Sequence, residues 1–288
     1  MPIPKILAGL LAVALFTRLR ERGYTEEGPR PSLKKSVLGV MDRFGMGQPA
    51  RRASRALRRS IKYGRTAVHA HTLWGWEPLV PEEQFSACCR HAIQLLRSKN
   101  PDHVFGDYLE FGVSRGSSLA CMYRALQSEG LPHIRLLGFD SFQGLPPEAK
   151  AQGWSPGDFW STRSTTERYL QRRGVDLRRV TLTEGWFKNT LTKATRQRLN
   201  IATSSLIMVD CDIYSAARET LWFCEPLIGD VAVVFFDDWA SKSVQHNLGE
   251  REAFQEFLDE FPGFSAEPLP TYSPNARVFL LTRRKNAR

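Results

Sequence analysis

Short apolar runs separated by polar, helix-patterned segments organise most of this chain. Tyr108, Leu109, Phe111 and Val113 form the first strand, and Gly112 and Gly116 break it. Ser117 is a candidate cap for the helix that opens at Ser118 and runs to Leu126. Ile134–Asp140 and Val180–Thr183 read as the second and third strands, and Ser205–Asp210 as a fourth whose unbroken apolar pattern marks burial on both faces. Val231–Phe236 is the fifth, and Phe264–Leu269 with Arg277–Thr282 closes the chain as a hairpin-like pair. Helical segments alternate with the strands: one opening at Pro81–Glu83, with Phe85, Ala92, Ile93, Leu95 and Leu96 turned inward, one over Ser215–Phe223, and an amphipathic one over Glu250–Leu258. Strand–helix alternation predicts an α/β fold, doubly wound, with a mostly parallel seven-stranded, Rossmann-like sheet.

In such a sheet ligands bind beyond the carboxyl ends of the strands. The stretch GDYLEFGVSRGSS is a strand, a glycine turn and a helix start, which directs backbone N–H groups at a ligand. Its spacing is not GxGxxG, so the dinucleotide fingerprint is not met. Glu110 just before the turn would repel a phosphate and suit a cation or a hydroxyl-bearing group. Asp140 ends the second strand 24 residues after Gly116, near the offset at which an acid takes a ribose diol; the alternative is a turn or capping aspartate. Trp186 and Phe187 follow Gly185 after the third strand, either to stack on a flat base or to plug the core. The fourth strand ends in Asp210-Cys-Asp212 and the fifth in Asp237-Asp238, at one rim. Convergent carboxylates repel one another unless a cation lies among them, and all-oxygen donors favour a hard ion such as Mg²⁺; a metal-free polar rim is the alternative. The polar insertion 148–178, with Trp154, Phe159, Trp160 and Tyr169, is placed to serve as a lid or substrate wall.

Charge changes the picture at one end only. Of the net +10, residues 1–70 hold 15 Lys+Arg and 4 Asp+Glu, a net of +11, which leaves the rest near neutral at −1. The basicity thus belongs to an extension, residues 1–72, and not to a nucleic-acid-binding fold; residues 73–288 form the ligand-binding domain. Within the extension the apolar run Ile6–Phe16 is 11 residues long, short of the roughly 20 that span a bilayer, and its charges mostly follow it, unlike a signal peptide. It fits a membrane-surface anchor, or a helix packing on the domain or on a second subunit in a homo-oligomer. The basic run Arg51–Lys62 is a solvated helix or linker, or a point of attraction to anionic lipid or an acidic substrate. Trp74 and Trp76 anchor a loop. Five cysteines without CxxC or metal-type spacing point to a reducing, cytoplasmic location, with membrane association through the arm as a further possibility.

The series YLEFGVSRGSS, GFDSFQGLP, TEGWFKNTL, MVDCDIY and VVFFDDWAS resembles the macrocin O-methyltransferase family, metal-dependent sugar O-methyltransferases of the class I fold that use S-adenosylmethionine. The resemblance runs from about Pro81 to Arg283 and covers nothing of residues 1–72. It implies that Glu110, Gly112 and Gly116 border the methionine end of the cofactor, with Glu110 on its ammonium, and that Ser117 is a further cofactor-binding residue. Asp140 would hold the ribose, Ser141 and Phe142 the adenosine, and Gly185 and Trp186 the adenine. Asp210, Asp237 and Asp238 would hold Mg²⁺, with Asp212 nearby and Asp210 also the general base; His246 is a weaker base candidate. The acceptor implied is a sugar hydroxyl on a small molecule, natural product or glycan, and Trp154, Trp160 and Trp239 suit stacking on a sugar ring or lid packing. Two departures from the family pattern are Cys211, in place of a glycine between the two acids, and Asp230, in place of the second of two glycines before the fifth strand. Other readings are a glycosyltransferase using Asp210-Cys-Asp212 as a metal-binding DxD, and a non-catalytic binding protein on a methyltransferase fold.

Overall fold

The computed structural model describes residues 77–99, 103–241 and 247–284. The apolar runs become seven strands: β1 (Asp107–Phe111), β2 (Leu136–Asp140), β3 (Val180–Glu184), β4 (Ser204–Val209), β5 (Ile228–Phe236), β6 (Phe264–Leu269) and β7 (Arg277–Arg283). They form one sheet in the order β3-β2-β1-β4-β5-β7-β6. β1 to β5 are parallel, and β7 runs antiparallel to both β5 and β6. The chain winds outward from β1 to β3 and then returns to place β4 on the other side of β1, so the order reverses between β1 and β4. In an open α/β sheet that reversal opens a crevice at the carboxyl ends of the strands.

Alternation along each strand sends side chains to two helical layers. Tyr108, Met208, Val233 and Phe235 meet α1 (Glu82–Lys99), α2 (Ser117–Ser128) and α3 (Arg163–Arg172) through Phe85, Ile93, Leu96, Leu119, Met122 and Leu170. Leu109, Phe111, Val209 and Phe236 face the opposite layer. There the short helices α4 (Phe187–Thr190) and α5 (Lys193–Arg198) precede α6 (Tyr214–Cys224) and α7 (Glu250–Glu260), whose Leu221, Phe223, Phe254 and Phe257 fill the second core. Each such fully buried large side chain stabilises the fold by about 1.5–3 kcal/mol. Trp239 lies in this aromatic layer, 5.2 Å from Phe236 and 5.0 Å from Phe279 between ring centroids. It is half-buried and packs against this core.

Among the described residues no helix is long and apolar enough to cross a membrane. The apolar run 6–16, the basic run 51–62, Trp74, Trp76 and His246 lie outside the described residues.

Candidate active site

The turn after β1 is shaped by close backbone contact. Gly112 has φ +91°, and a Cβ there would lie 1.5 Å from the Asp210 carbonyl oxygen. Its amide donates to Phe139 O at 2.9 Å, while the Asp210 amide donates to Phe111 O at 2.9 Å, which stitches the ends of β2, β1 and β4 together. Gly116, at φ +87°, is the residue that caps α2, and no side chain completes the cap. Ser117 is instead the first residue inside the helix and is buried, because the left-handed glycine has already turned the chain.

Asp140 ties the next loop to that turn. Its Oδ2 accepts from the Ser114 amide at 2.8 Å and its Oδ1 from the Phe142 amide at 2.6 Å. Both donors have positive φ, 44° and 52°, a conformation that costs non-glycine residues about 1–3 kcal/mol and that collects at functional sites. Burial pushes the Asp140 carboxyl above the usual range, against the pull of these amides. Ser141 Oγ donates to Gly144 O at 3.0 Å and accepts from the Gln143 amide at 3.0 Å, so it serves its own turn. The loop beyond folds on itself: Leu145 N donates to Asp158 O at 3.0 Å, and Gly157 N to Leu145 O at 2.8 Å. Ser114 Oγ reaches Phe159 O at 2.8 Å and pins this loop to the β1 turn.

The acidic rim forms as the two strand ends require. One carboxylate oxygen from each of Asp210, Asp237 and Asp238 lies within 4.8 Å of the others. Burial, and then Asp237, Asp212 and Asp238, push Asp210 well above the usual carboxylate range. Burial raises Asp237 to about 6, opposed by the Tyr272 hydroxyl, which donates to its Oδ1 at 2.7 Å. Ser241 Oγ donates to Asp238 Oδ1 at 3.0 Å. Asp212, at φ +61°, is hydrogen-bonded to Asp238 and is likewise pushed up, first by burial and then by Asp238. Oxygen donors alone, crowded until they resist ionising, fit a hard divalent cation.

One cavity of about 500 Å³ joins these parts. Gly112, Asp140, Ser141, Trp186, Asp210, Asp237 and Asp238 all line it, as do Asp212, Ser114 and Phe187. Trp154 and Phe159, packed edge to face at 5.3 Å, belong to its wall. Phe187 also touches Phe111 in the core, ring centroids 6.0 Å apart, so it plugs the core while Trp186 faces the cavity. Glu110, Gly116, Ser117, Phe142, Gly185 and Trp160 are not among the lining residues. Gly185, at φ +136°, donates its amide to Asp140 O at 2.9 Å and turns the chain toward Trp186.

Glu110 lies beneath the turn, fully buried, hydrogen-bonded by the Tyr108 hydroxyl and by Ser118 Oγ at 2.9 Å. Burial raises its carboxyl to about 8 from an ordinary value of 4.5, despite those two donors. The folded state thus keeps a proton that the unfolded chain sheds near pH 4.5. The associated stability is fully present below that pH and is lost as pH rises toward 8. Denaturant unfolding of wild type and Glu110→Gln at pH 5 and pH 8 should show wild type losing more stability than the variant between the two. Equal losses would mean that Glu110 does not carry a buried proton.

A profile of the macrocin-O-methyltransferase family matches residues 13–260. The chain belongs to this family. The match starts inside the basic extension, which corrects the expectation that the resemblance covers nothing of residues 1–72. The chain is similar to an 8-demethyl-8-(2,3-dimethoxy-alpha-L-rhamnosyl)-tetracenomycin-C 4'-O-methyltransferase of Streptomyces olivaceus, 28% identical over 56% of this chain and 65% of that protein. It is also similar to the mycinamicin III 3''-O-methyltransferase of Micromonospora griseorubida, 26% identical over 66% and 71%. A demethyldecarbamoylnovobiocin O-methyltransferase of Streptomyces niveus is 29% identical over 60% and 63%. The chain therefore covers a little under two thirds of the tetracenomycin and novobiocin enzymes' own length. Among solved structures, the O-methyltransferase NovP superposes with a TM-score of 0.56 at 21% identity, over 70% of this chain and 80% of that one. CalS11, a calicheamicin methyltransferase, gives 0.53 at 21% identity, over 70% and 79%. At that identity the likeness concerns the fold, a seven-stranded sheet with helices on both faces.

Within this macrocin-O-methyltransferase chain, two site features were not singled out from sequence. Tyr272 lies between β6 and β7, where only hairpin scaffolding was expected, yet its hydroxyl holds Asp237. Glu250 reads as an ordinary helix-start acid, yet it is fully buried beside the rim. Neither carries a sequence signal, because a tyrosine between strands and a glutamate in a first helical turn are both commonplace. Cys211, the departure from glycine that the resemblance implies, is buried with Sγ 4.0 Å from Thr220 Oγ1 of α6, and it also lines the cavity.

Proposed function

We propose that this chain is an S-adenosylmethionine-dependent O-methyltransferase that methylates a hydroxyl of a sugar or a glycosylated natural product, with Mg²⁺ at Asp210, Asp237 and Asp238. The observation that carries this reading is the single cavity lined both by the turn-bound Asp140 and by the three-carboxylate rim, in a chain of this family. When bound, S-adenosylmethionine supplies an electrophilic methyl group, and the cation supplies the charge that keeps the rim carboxylates ionised and lowers the pKa of the hydroxyls it holds.

The residues divide the remaining work. Asp140, oriented by the Ser114 and Phe142 amides and lining the cavity, presents a two-oxygen acceptor that matches two neighbouring ribose hydroxyls. Trp186 gives a flat wall for a base. Asp210, a rim acid whose backbone meets the Gly112 turn, takes the proton from the acceptor hydroxyl. Asp237 is kept in place by Tyr272, and Asp238 by Ser241. Trp154, Phe159 and the Leu145–Pro147 segment exclude water around the acceptor. The relatives' printed substrates, a rhamnosyl tetracenomycin, mycinamicin III and demethyldecarbamoylnovobiocin, support a glycosylated acceptor.

Calorimetry with S-adenosylhomocysteine, followed by transfer assays on deoxysugar glycosides with Mg²⁺ or EDTA, tests the whole reading. We expect binding at a Kd of about 10 μM or tighter in either condition, and turnover only with Mg²⁺. No binding in either condition would break the methyltransferase reading and favour a nucleotide-sugar enzyme. Full turnover in EDTA would remove the metal.

A further inference from the structure

The two carboxylate-bearing loops leave different strands, β4 and β5, and one buried side chain joins them. Glu250, the first residue of α7, is fully buried. Its Oε1 accepts from the Cys211 amide at 3.4 Å, and its Oε2 accepts from the Asp238 amide at 3.1 Å. Cys211 is the residue between Asp210 and Asp212, and Asp238 follows Asp237, so one carboxyl group spans both acid pairs through their backbones.

The span is itself held rigidly. Gly249 donates its amide to Glu252 Oε2 at 2.9 Å and opens α7. A Cβ at Gly249 would lie 2.1 Å from the Ser241 carbonyl oxygen, so the helix start abuts the loop that follows Asp238. Ala253, Phe254 and Phe257 fix the rest of the helix in the second core. Placing a fifth carboxyl beside four others carries a desolvation and repulsion cost that an apolar side chain would avoid. A carboxyl with two oxygens is, however, a compact group that can accept from two amides on separate loops at a set distance.

We propose that Glu250 is a positioning residue that holds the Asp210–Asp212 and Asp237–Asp238 loops at the spacing a divalent cation needs. The proposal rests on the metal reading above. Glu250 does not touch the cation; it acts through the backbone of the loops that carry the ligands, and neighbours of that kind commonly change metal affinity 10–100-fold.

The test uses the full chain, wild type and Glu250→Gln, which keeps the shape but leaves one oxygen acceptor for two amides. Three quantities are read: Mn²⁺ affinity by electron paramagnetic resonance of the free ion, S-adenosylhomocysteine affinity by calorimetry, and hydrogen exchange at the Cys211 and Asp238 amides. We expect Mn²⁺ affinity to fall at least about tenfold. At least one of the two amides should exchange about tenfold faster, with S-adenosylhomocysteine affinity within about twofold and the Asp210 amide, bonded to Phe111 O, unchanged. Unchanged Mn²⁺ affinity overturns the proposal, as does unchanged exchange at both amides. An equal loss of both ligands also overturns it, because that is general damage. Should Glu250→Gln fail to fold, Glu250→Asp, which keeps both acceptors one methylene too short, is read by the same three quantities. Wild-type protein that takes up no Mn²⁺ overturns the metal reading itself, a result distinct from any given by the variants.

Discussion

Asp237→Asn is expected to lower methyl transfer by roughly a thousandfold, about 4 kcal/mol, while leaving S-adenosylhomocysteine affinity within about twofold. The substitution changes shape hardly at all but exchanges one anionic oxygen of the rim for an amide nitrogen. Asp237 is oriented from outside the cluster by the Tyr272 hydroxyl at 2.7 Å. Its carboxyl is raised to about 6, the mark of a group that burial discourages from ionising without a counter-charge. Asparagine supplies no negative charge, so a cation bound there loses one of three anionic ligands. The residues around Asp140 are untouched, which is why cofactor-product binding should persist. Initial rates at saturating Mg²⁺, with calorimetry on the same preparation, check both halves. Turnover within tenfold of wild type would remove Asp237 from the catalytic machinery.

Gly112→Ala, in the turn after β1, should cost about 3 kcal/mol or more and lower Tm by roughly 6–12 °C. Two penalties combine. The backbone has φ +91°, and the added carbon would lie 1.5 Å from the Asp210 carbonyl oxygen, a backbone atom that cannot swing aside. Relief would require β1 and β4 to separate at the point where their hydrogen bonds end. Gly130→Ala makes the control: φ is +71°, but nothing lies within 4 Å of the new carbon. That change should cost about 1 kcal/mol, the conformational share alone. Equal Tm values for the two variants, measured by calorimetric scanning, would show that the contact with Asp210 is not what requires glycine.

Much of this arrangement is legible in the sequence, and the parts that are not have physical reasons. Strand identity survives because runs such as Ser204–Val209 are buried on every residue, so their composition is dictated by the environment. The rim is legible because parallel strands end on one side, so acids written after two of them must meet. The helix cap at Gly116 was assigned one residue late, since serine is the commoner cap and only the left-handed φ shows that glycine takes the place. Glu110 follows from the strand pattern as a site residue but lies beneath the cavity, because alternation along β1 aims it at Ser118 in α2. Trp239 follows an acid pair at the rim, and its contacts with Phe236, Phe254 and Phe279, which half-bury it, depend on α7 and β7 and leave no local pattern. Glu250 and Tyr272 act through contacts that span 39 and 35 residues of chain, and no local pattern encodes a pairing at that distance.

The self-closing loop of residues 144–159 has a consequence for diversification. Its two ends are fastened to each other by the Leu145 and Gly157 amides, and Ser114 fastens it to the rest of the protein through a backbone oxygen at Phe159. None of those attachments depends on the side chains the loop displays to the cavity. Side-chain ties add to these: Gln152 Nε2 donates to Leu248 O at 3.1 Å, and Ala149 is fully buried. Exchange of Trp154 alone, with Gln152 and Ala149 kept, is therefore the change expected to leave the loop's backbone path intact. On the proposed reading, a loop held by its own main chain separates the choice of acceptor from the chemistry: a change at Trp154 would alter the wall the acceptor meets, while Asp140 and the acidic rim stay where the strands put them.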